Sequence, residues 1–164
     1  MFVPRLNDSG MRNNPYWYGN NPFYQSGYGL PNCTCYAWGR RYEITGKRPS
    51  LSLGNAEVWF DYTQDGYKRG RVPQLGSIIC FKDGPYSGLG HVAVVEEITG
   101  DTIITSNSAY NGAYFYLKTG SASNNYGYEA GYKFQGFIYL PDTPIPPTPS
   151  EKNKMPLWMY LKQF

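Results

Sequence analysis

One imidazole, His91, and three thiols, Cys33, Cys35 and Cys80, bound the chemistry open to this 164-residue chain. A thiol becomes a nucleophile when its thiolate is stabilised, which the first turn of a helix does through unpaired N–H groups and the positive end of its dipole. Cys33 stands at such a place. Pro31-Asn32 precedes a helical stretch, Asn32 suits the N-cap, and Thr45-Gly46 closes the stretch with a glycine suited to the left-handed residue beyond a helix end. Cys35 falls deeper in the same helix, so Cys33 is the candidate nucleophile. His91 follows a loop containing Gly84, Pro85, Ser87, Gly88 and Gly90 and opens the run Val92-Ala93-Val94-Val95. It is the one imidazole able to act as general base for that thiol. The competing assignment makes the thiols small buried hydrophobes and His91 a structural residue with satisfied nitrogens.

The same scarcity excludes other chemistry. One His and three Cys cannot supply a zinc site of the usual spacing, and neither a metal nor a cofactor is expected. Three thiols cannot all pair, and Cys33 and Cys35, two apart on a helix, point different ways, which argues against a disulfide scaffold. No Walker-type or G-x-G-x-x-G loop is present. The net charge of +3, from 15 Lys+Arg against 12 Asp+Glu, is too slight and too scattered to argue for nucleic acid.

The elements that must position these groups change type along the chain. The helix spans 33–44, and a second, over 55–64, is bounded by Gly54 and Gly66 with Val58, Trp59 and Tyr62 on one side. Beyond Pro73 the pattern turns to short strands: 75–82, then 91–98 and 102–107 joined as a hairpin by a turn at 99–101, then 113–118 and 132–140. Helices first and an antiparallel sheet afterwards make an α+β arrangement. Residues 1–31 form an irregular lead-in rich in aromatics and Asn, whose rings either clamp it onto the domain or line a ligand groove.

Length and composition fit one domain with an appendage. At 41% hydrophobic, 18% aromatic and 16% charged, the chain can bury a core, and its polarity comes mainly from Gly, Asn, Ser, Thr and Tyr. The expected organisation is a folded unit over 1–141, a stiff Pro-rich linker over 142–154 and a short apolar segment over 155–164. No apolar run approaches the roughly 18–20 residues that cross a bilayer. The first residues lack the charged and apolar regions of a Sec signal peptide.

Four blocks occur in order: Cys33-Thr34-x-Tyr36-Ala37, Gly54-Asn55-Ala56-x-x-Trp59, Pro73-x-x-Gly76-x-Ile78, and Gly90-His91-Val92-Ala93-Val94-Val95. Together they resemble the CHAP family of cysteine- and histidine-dependent amidohydrolase/peptidases, over about residues 30–141. The resemblance implies a papain-like α+β domain related to NlpC/P60 enzymes. It implies cleavage of an amide in bacterial peptidoglycan, as an N-acetylmuramoyl-L-alanine amidase or a peptide endopeptidase, with Cys33 as nucleophile and His91 as base. Such domains occur in phage endolysins, tail-associated wall hydrolases and autolysins. The expected setting is therefore a phage virion, or a host cytoplasm with release to the wall. The apolar C-terminal segment would offer a contact to other virion or lysin modules. The alternatives are an NlpC/P60-type peptidase and a catalytically silent wall-binding or virion structural module on the same fold.

Family members usually orient the imidazole with an Asn, Asp or Glu on the next strand, where this chain has Thr105-Ser106-Asn107-Ser108. A three-residue turn at 99–101 puts Asn107 on the face of His91, whereas a two-residue turn puts Ser106 and Ser108 there. Asn107 is preferred because its amide oxygen can accept the imidazole N–H. The family's frequent Gln before the nucleophile is replaced by Asn32, which either caps the helix or joins the Cys33 N–H in holding an oxyanion. The calcium-binding acidic loop of some phage relatives has no counterpart, since no Asp or Glu lies between Asp8 and Glu43.

Overall fold

The computed structural model describes residues 1–86 and 88–142. The linker beyond Asp142 and the segment 155–164 lie outside the described residues. Two helices precede the sheet: a single turn, α1 (Pro22–Gln25), and the main helix, α2 (Cys33–Thr45). The side chain of Asn32 caps α2 by accepting from the N–H groups of Thr34 and Cys35, and Gly46 ends it in the left-handed conformation.

Residues 55–64 do not form the expected second helix. Two 3₁₀ turns stand there, Ala56–Val58 and Thr63–Asp65. Carbonyls that would propagate a helix are taken by a side chain: Arg69 donates to Phe60 O at 2.6 Å, to Trp59 O at 3.0 Å and to Tyr62 O. The indole of Trp59 is fully buried, while Val58 is exposed.

The strands are β1 (Arg69–Gly70), β2 (Ile78–Asp83), β3 (His91–Thr99), β4 (Thr102–Asn107), β5 (Tyr116–Gly120) and β6 (Tyr132–Ile138). They form one antiparallel sheet in the order β1-β6-β2-β3-β4-β5. The fifth strand starts three residues later than its sequence predicts, and β1 has no counterpart in the sequence reading. Alternation along the strands splits the core into two layers. Ile78, Cys80, Val92, Val94 and Ile138 join Cys35, Tyr36, Trp38 and Trp59 on the α2 face. Ile79, Phe81, Ala93, Val95, Phe137, Tyr126 and Tyr128 cluster on the other.

The lead-in aromatics clamp. Trp17 is fully buried and its indole N–H donates to Tyr36 O at 3.1 Å. Gly39 permits this approach, because a Cβ there would lie 2.4 Å from the Trp17 ring. On the far side of the helix, Arg41 donates to Tyr139 O and Ile138 O at 2.9 and 3.0 Å, tying α2 to the end of β6.

Candidate active site

Cys33 is the first residue of α2 and is half-buried where the helix start meets β3. Burial pushes its thiol pKa up, opposed by backbone hydrogen bonds from Val92, Thr34 and Cys33 itself. The bond from Val92 places the sulfur beside the first residues of β3. The direction corrects the sequence-based expectation of a depressed thiol: helix-start N–H groups do reach the sulfur, but desolvation outweighs them. Cys35 and Cys80 are buried, Cys35 is pushed up to about 12 by desolvation, and all three cysteines are free.

His91 is delivered by a turn that needs glycine. Gly90 has φ +76°, and a Cβ on it would meet Phe81 O at 2.3 Å and Glu57 N at 2.8 Å. The turn is held from both sides, by Gly90 N–H to Asp83 O at 2.8 Å and Glu57 N–H to Leu89 O at 2.9 Å. This gives the Gly54-to-Trp59 block a job, since the 3₁₀ turn at Ala56–Val58 buttresses the residue before the histidine.

The His91 ring is buried, and Nε2 lies 2.9 Å from Asn107 Oδ1. Desolvation lowers its pKa from 6.5 to about 4, against the opposing hydrogen bond to Asn107. The ring is flanked by Tyr128 and Tyr132, with centroids at 5.5 and 5.9 Å.

The route by which Asn107 reaches His91 differs from the expected one. Thr99 pairs with Thr102, so the hairpin turn is the two-residue Gly100-Asp101, which alone would face Ser106 and Ser108 toward the imidazole. Between Val95 and Glu97 the register shifts, and Val95 pairs with Thr105 and Val94 with Ser106. Glu96 is the extra residue of a β-bulge, and one inserted residue returns Asn107 to the His91 face.

Ser106, Asn107 and Ser108 then alternate. Ser106 Oγ donates to Glu96 Oε1 at 2.6 Å. Ser108 Oγ accepts from Asn32 N–H at 3.0 Å, linking the end of β4 to the cap of the nucleophile's helix. Neither serine takes the place beside the imidazole that Asn107 occupies. Asn32 Oδ1 is spent on the cap, accepting from Thr34 N, Thr34 Oγ1 and Cys35 N at 2.9, 2.7 and 3.4 Å.

Two contributors escaped the sequence reading. Tyr128 donates from its hydroxyl to Asn107 Oδ1 at 2.7 Å, and Thr105 Oγ1 lies 2.8 Å from the same hydroxyl. Nothing local singles out Tyr128 among 17 tyrosines. Tyr116 pairs across strands with Asn107, bringing another ring to the site. Among the described residues, no group of three or more His, Cys, Asp or Glu is arranged to hold a metal ion.

A thiol at a helix start beside an imidazole-bearing strand, with that imidazole bonded to an amide on the next strand, defines a papain-like α+β protein. The CHAP domain family model matches residues 23–109, just over half of the chain, and the chain belongs to that family. Two relatives are the probable autolysins LDP and SsaALP of Staphylococcus aureus (strain NCTC 8325 / PS 47). LDP is 36% identical over 101 residues, which is 61% of this chain and 34% of the relative. SsaALP is 36% identical over 89 residues, 53% of this chain and 32% of the relative. The chain thus spans about a third of the length of these relatives. Among solved structures, an N-acetylmuramoyl-L-alanine amidase from Staphylococcus aureus superposes with a TM-score of 0.50 at 26% identity, covering 66% of this chain and 31% of the other. Ly7917 superposes with a TM-score of 0.51 at 17% identity, covering 69% and 54%, a likeness of fold.

Proposed function

We propose that this protein is a cysteine-dependent peptidoglycan hydrolase that cleaves an amide bond, as an N-acetylmuramoyl-L-alanine amidase or a peptide endopeptidase. The observation that carries the reading is the convergence of the Cys33 sulfur on the start of β3 with the His91 Nε2 contact to Asn107. Membership of the CHAP family and the amidase among its structural neighbours support the substrate class.

Opposed desolvation effects define the resting state. Cys33 is pushed up and His91 down, so at neutral pH both groups are uncharged. Asn107 Oδ1 takes the Nε2 proton in a hydrogen bond, which leaves Nδ1 as the basic nitrogen. Nδ1 removes the thiol proton as Cys33 Sγ attacks the carbonyl carbon, and the carbonyl oxygen becomes an oxyanion. The backbone N–H of Cys33 at the helix start is suited to hold that oxyanion. Asn32 can add only its Nδ2 hydrogens, its Oδ1 being committed to the cap. Collapse of the intermediate expels the amine, which takes the proton from His91. Water, deprotonated by Nδ1, then releases the acyl group and restores the thiol.

The place of action in this proposal is the bacterial wall, reached from a phage virion or from a host cytoplasm. The test is incubation with purified peptidoglycan and mass analysis of soluble products. Amidase action frees lactyl groups, and endopeptidase action exposes new peptide amines. Both should vanish in Cys33→Ala. Wild-type protein that sediments with walls yet releases no product would overturn the hydrolase reading in favour of a binding module.

A further inference from the structure

The hydrogen bonds around Asn107 form a closed ring that has one possible sense. Asn107 Nδ2 lies 3.0 Å from Thr105 O and 3.2 Å from Thr105 Oγ1. Thr105 O can only accept, so the amide nitrogen must be the group facing it, and Oδ1 must face His91. Because Nδ2 can only donate, Thr105 Oγ1 accepts from it and has its own proton to give. That proton goes to Tyr128 Oη at 2.8 Å, and the Tyr128 proton goes to Asn107 Oδ1 at 2.7 Å. Each hydroxyl donates once and accepts once, an order in which neighbouring bonds polarise and strengthen one another. All three residues are buried, so water does not compete.

We infer that Tyr128 is a positioning residue for the proposed hydrolysis: with Thr105 it locks the Asn107 amide so that Oδ1 always accepts the His91 Nε2 proton and Nδ1 stays free as the base. The chain reaches this position at a conformational cost. Asn125 and Tyr126 both have positive φ, 54° and 55°, and Gly127 follows at 81°. An aromatic residue in the left-handed region is disfavoured, because its Cβ crowds the following carbonyl oxygen. The segment is pinned by Tyr126 N–H to Ser121 O at 2.7 Å and by Lys118 Nζ to Gly127 O at 3.1 Å. The Tyr128 ring also packs on Phe81 with centroids 4.4 Å apart, which fixes where its hydroxyl can point.

This inference rests on the proposed mechanism, but its test has an arm that does not. His91 is the only histidine in the chain, so the ring nitrogens in a ¹⁵N-labelled sample belong to it without further assignment. At neutral pH the wild type should show a protonated Nε2 and an unprotonated Nδ1. In Tyr128→Phe, which keeps the ring and its packing, the Asn107 amide is held by its bonds to Thr105 without the Tyr128 hydroxyl on Oδ1, so the Nε2-protonated tautomer should remain the major one while the other gains a measurable share. Peptidoglycan hydrolysis by Tyr128→Phe should fall roughly tenfold in kcat with KM unchanged, the size expected for one lost orienting hydrogen bond. Thr105→Val should act in the same direction, while Thr105→Ser, which retains the hydroxyl, should restore the wild-type spectrum and rate. A wild-type tautomer in Tyr128→Phe, or an altered one accompanied by wild-type kcat, overturns the inference. If wild-type protein releases nothing from peptidoglycan, the hydrolase reading falls, and the tautomer spectra alone then decide whether the ring holds His91.

Discussion

The buried carboxylate of Glu96 receives the guanidinium of Arg40 through two parallel bonds, Nε to Oε1 at 2.9 Å and Nη2 to Oε2 at 2.8 Å. Arg40 belongs to α2, whose first residue is Cys33, and Glu96 is the extra residue in β3 that faces Asn107 toward His91. One ion pair therefore ties the helix of the thiol to the bulge that sets the register of the imidazole's partner. Ser106 Oγ and the N–H of Arg5 satisfy the remaining acceptors of the carboxylate, at 2.6 and 2.8 Å.

Glu96→Ala should consequently destabilise the fold by about 3–5 kcal/mol, because it leaves a buried guanidinium without its main partner. Denaturant unfolding of the two proteins measures the difference. A loss below about 1 kcal/mol would mean that the bulge is held by something other than this pair.

Cys33→Ala should abolish release of wall fragments without shifting the unfolding midpoint appreciably. Cys35→Ala and Cys80→Ala should retain substantial turnover, since both sulfurs are buried away from solvent. Iodoacetamide should label Cys33 first, by virtue of access rather than of a low pKa. Wild-type turnover in Cys33→Ala would remove the nucleophile from the mechanism.

The buried imidazole ties stability to pH. The pKa of His91 is lowered from 6.5 to about 4 by burial, so between those values the unfolded chain binds a proton that the native protein does not. This contribution to stability is complete above about pH 6.5 and is lost as the pH falls toward 4, amounting to about 2 kcal/mol between pH 7 and 5. Unfolding at both pH values should show it in the wild type and not in His91→Gln. The acid limb of kcat/KM should likewise lie well below 6.5, nearer 4. A limb at 6.5 would mean that the imidazole is solvated in the working protein.

Asn107→Ala should lower kcat by one to two orders of magnitude with little change in KM, because the base loses its tautomer and orientation. Ser106→Ala should leave kcat close to wild type and lower stability by about 1 kcal/mol, since its hydroxyl serves the Glu96 carboxylate. Steady-state kinetics on the two variants distinguish the roles. The reverse pattern would place a serine in the orienting position.

Much of the site was legible because its signals are local or unique. Pro31-Asn32 ahead of the helix identifies Cys33 as its first residue, a property of the cap that needs no tertiary contact. A single histidine admits one candidate base, and the four ordered blocks identify the family. The helix expected over 55–64 was lost to contacts the sequence does not display, because Arg69 claims its carbonyls from beyond its end.

Asn107 is the sharpest division between the two levels. The strands from β2 onward and the hairpin follow from runs rich in Val, Ile and Thr, yet side chains on a strand alternate with period two, so a single inserted residue inverts the face of everything beyond it. A two-residue turn and a bulge at Glu96 together give the outcome that a three-residue turn alone would give, and sequence patterning cannot separate them. The bulge is stabilised by a guanidinium from α2, a contact that exists only once helix and sheet have packed. Tyr128 reaches the site through three successive left-handed residues, and the Cys33 thiol is raised rather than lowered because packing removes water from the helix start. The residue types and their order belong to the sequence. Which face each presents, and how strongly each holds its proton, were decided by burial and register, which only the assembled layers of helix and sheet create.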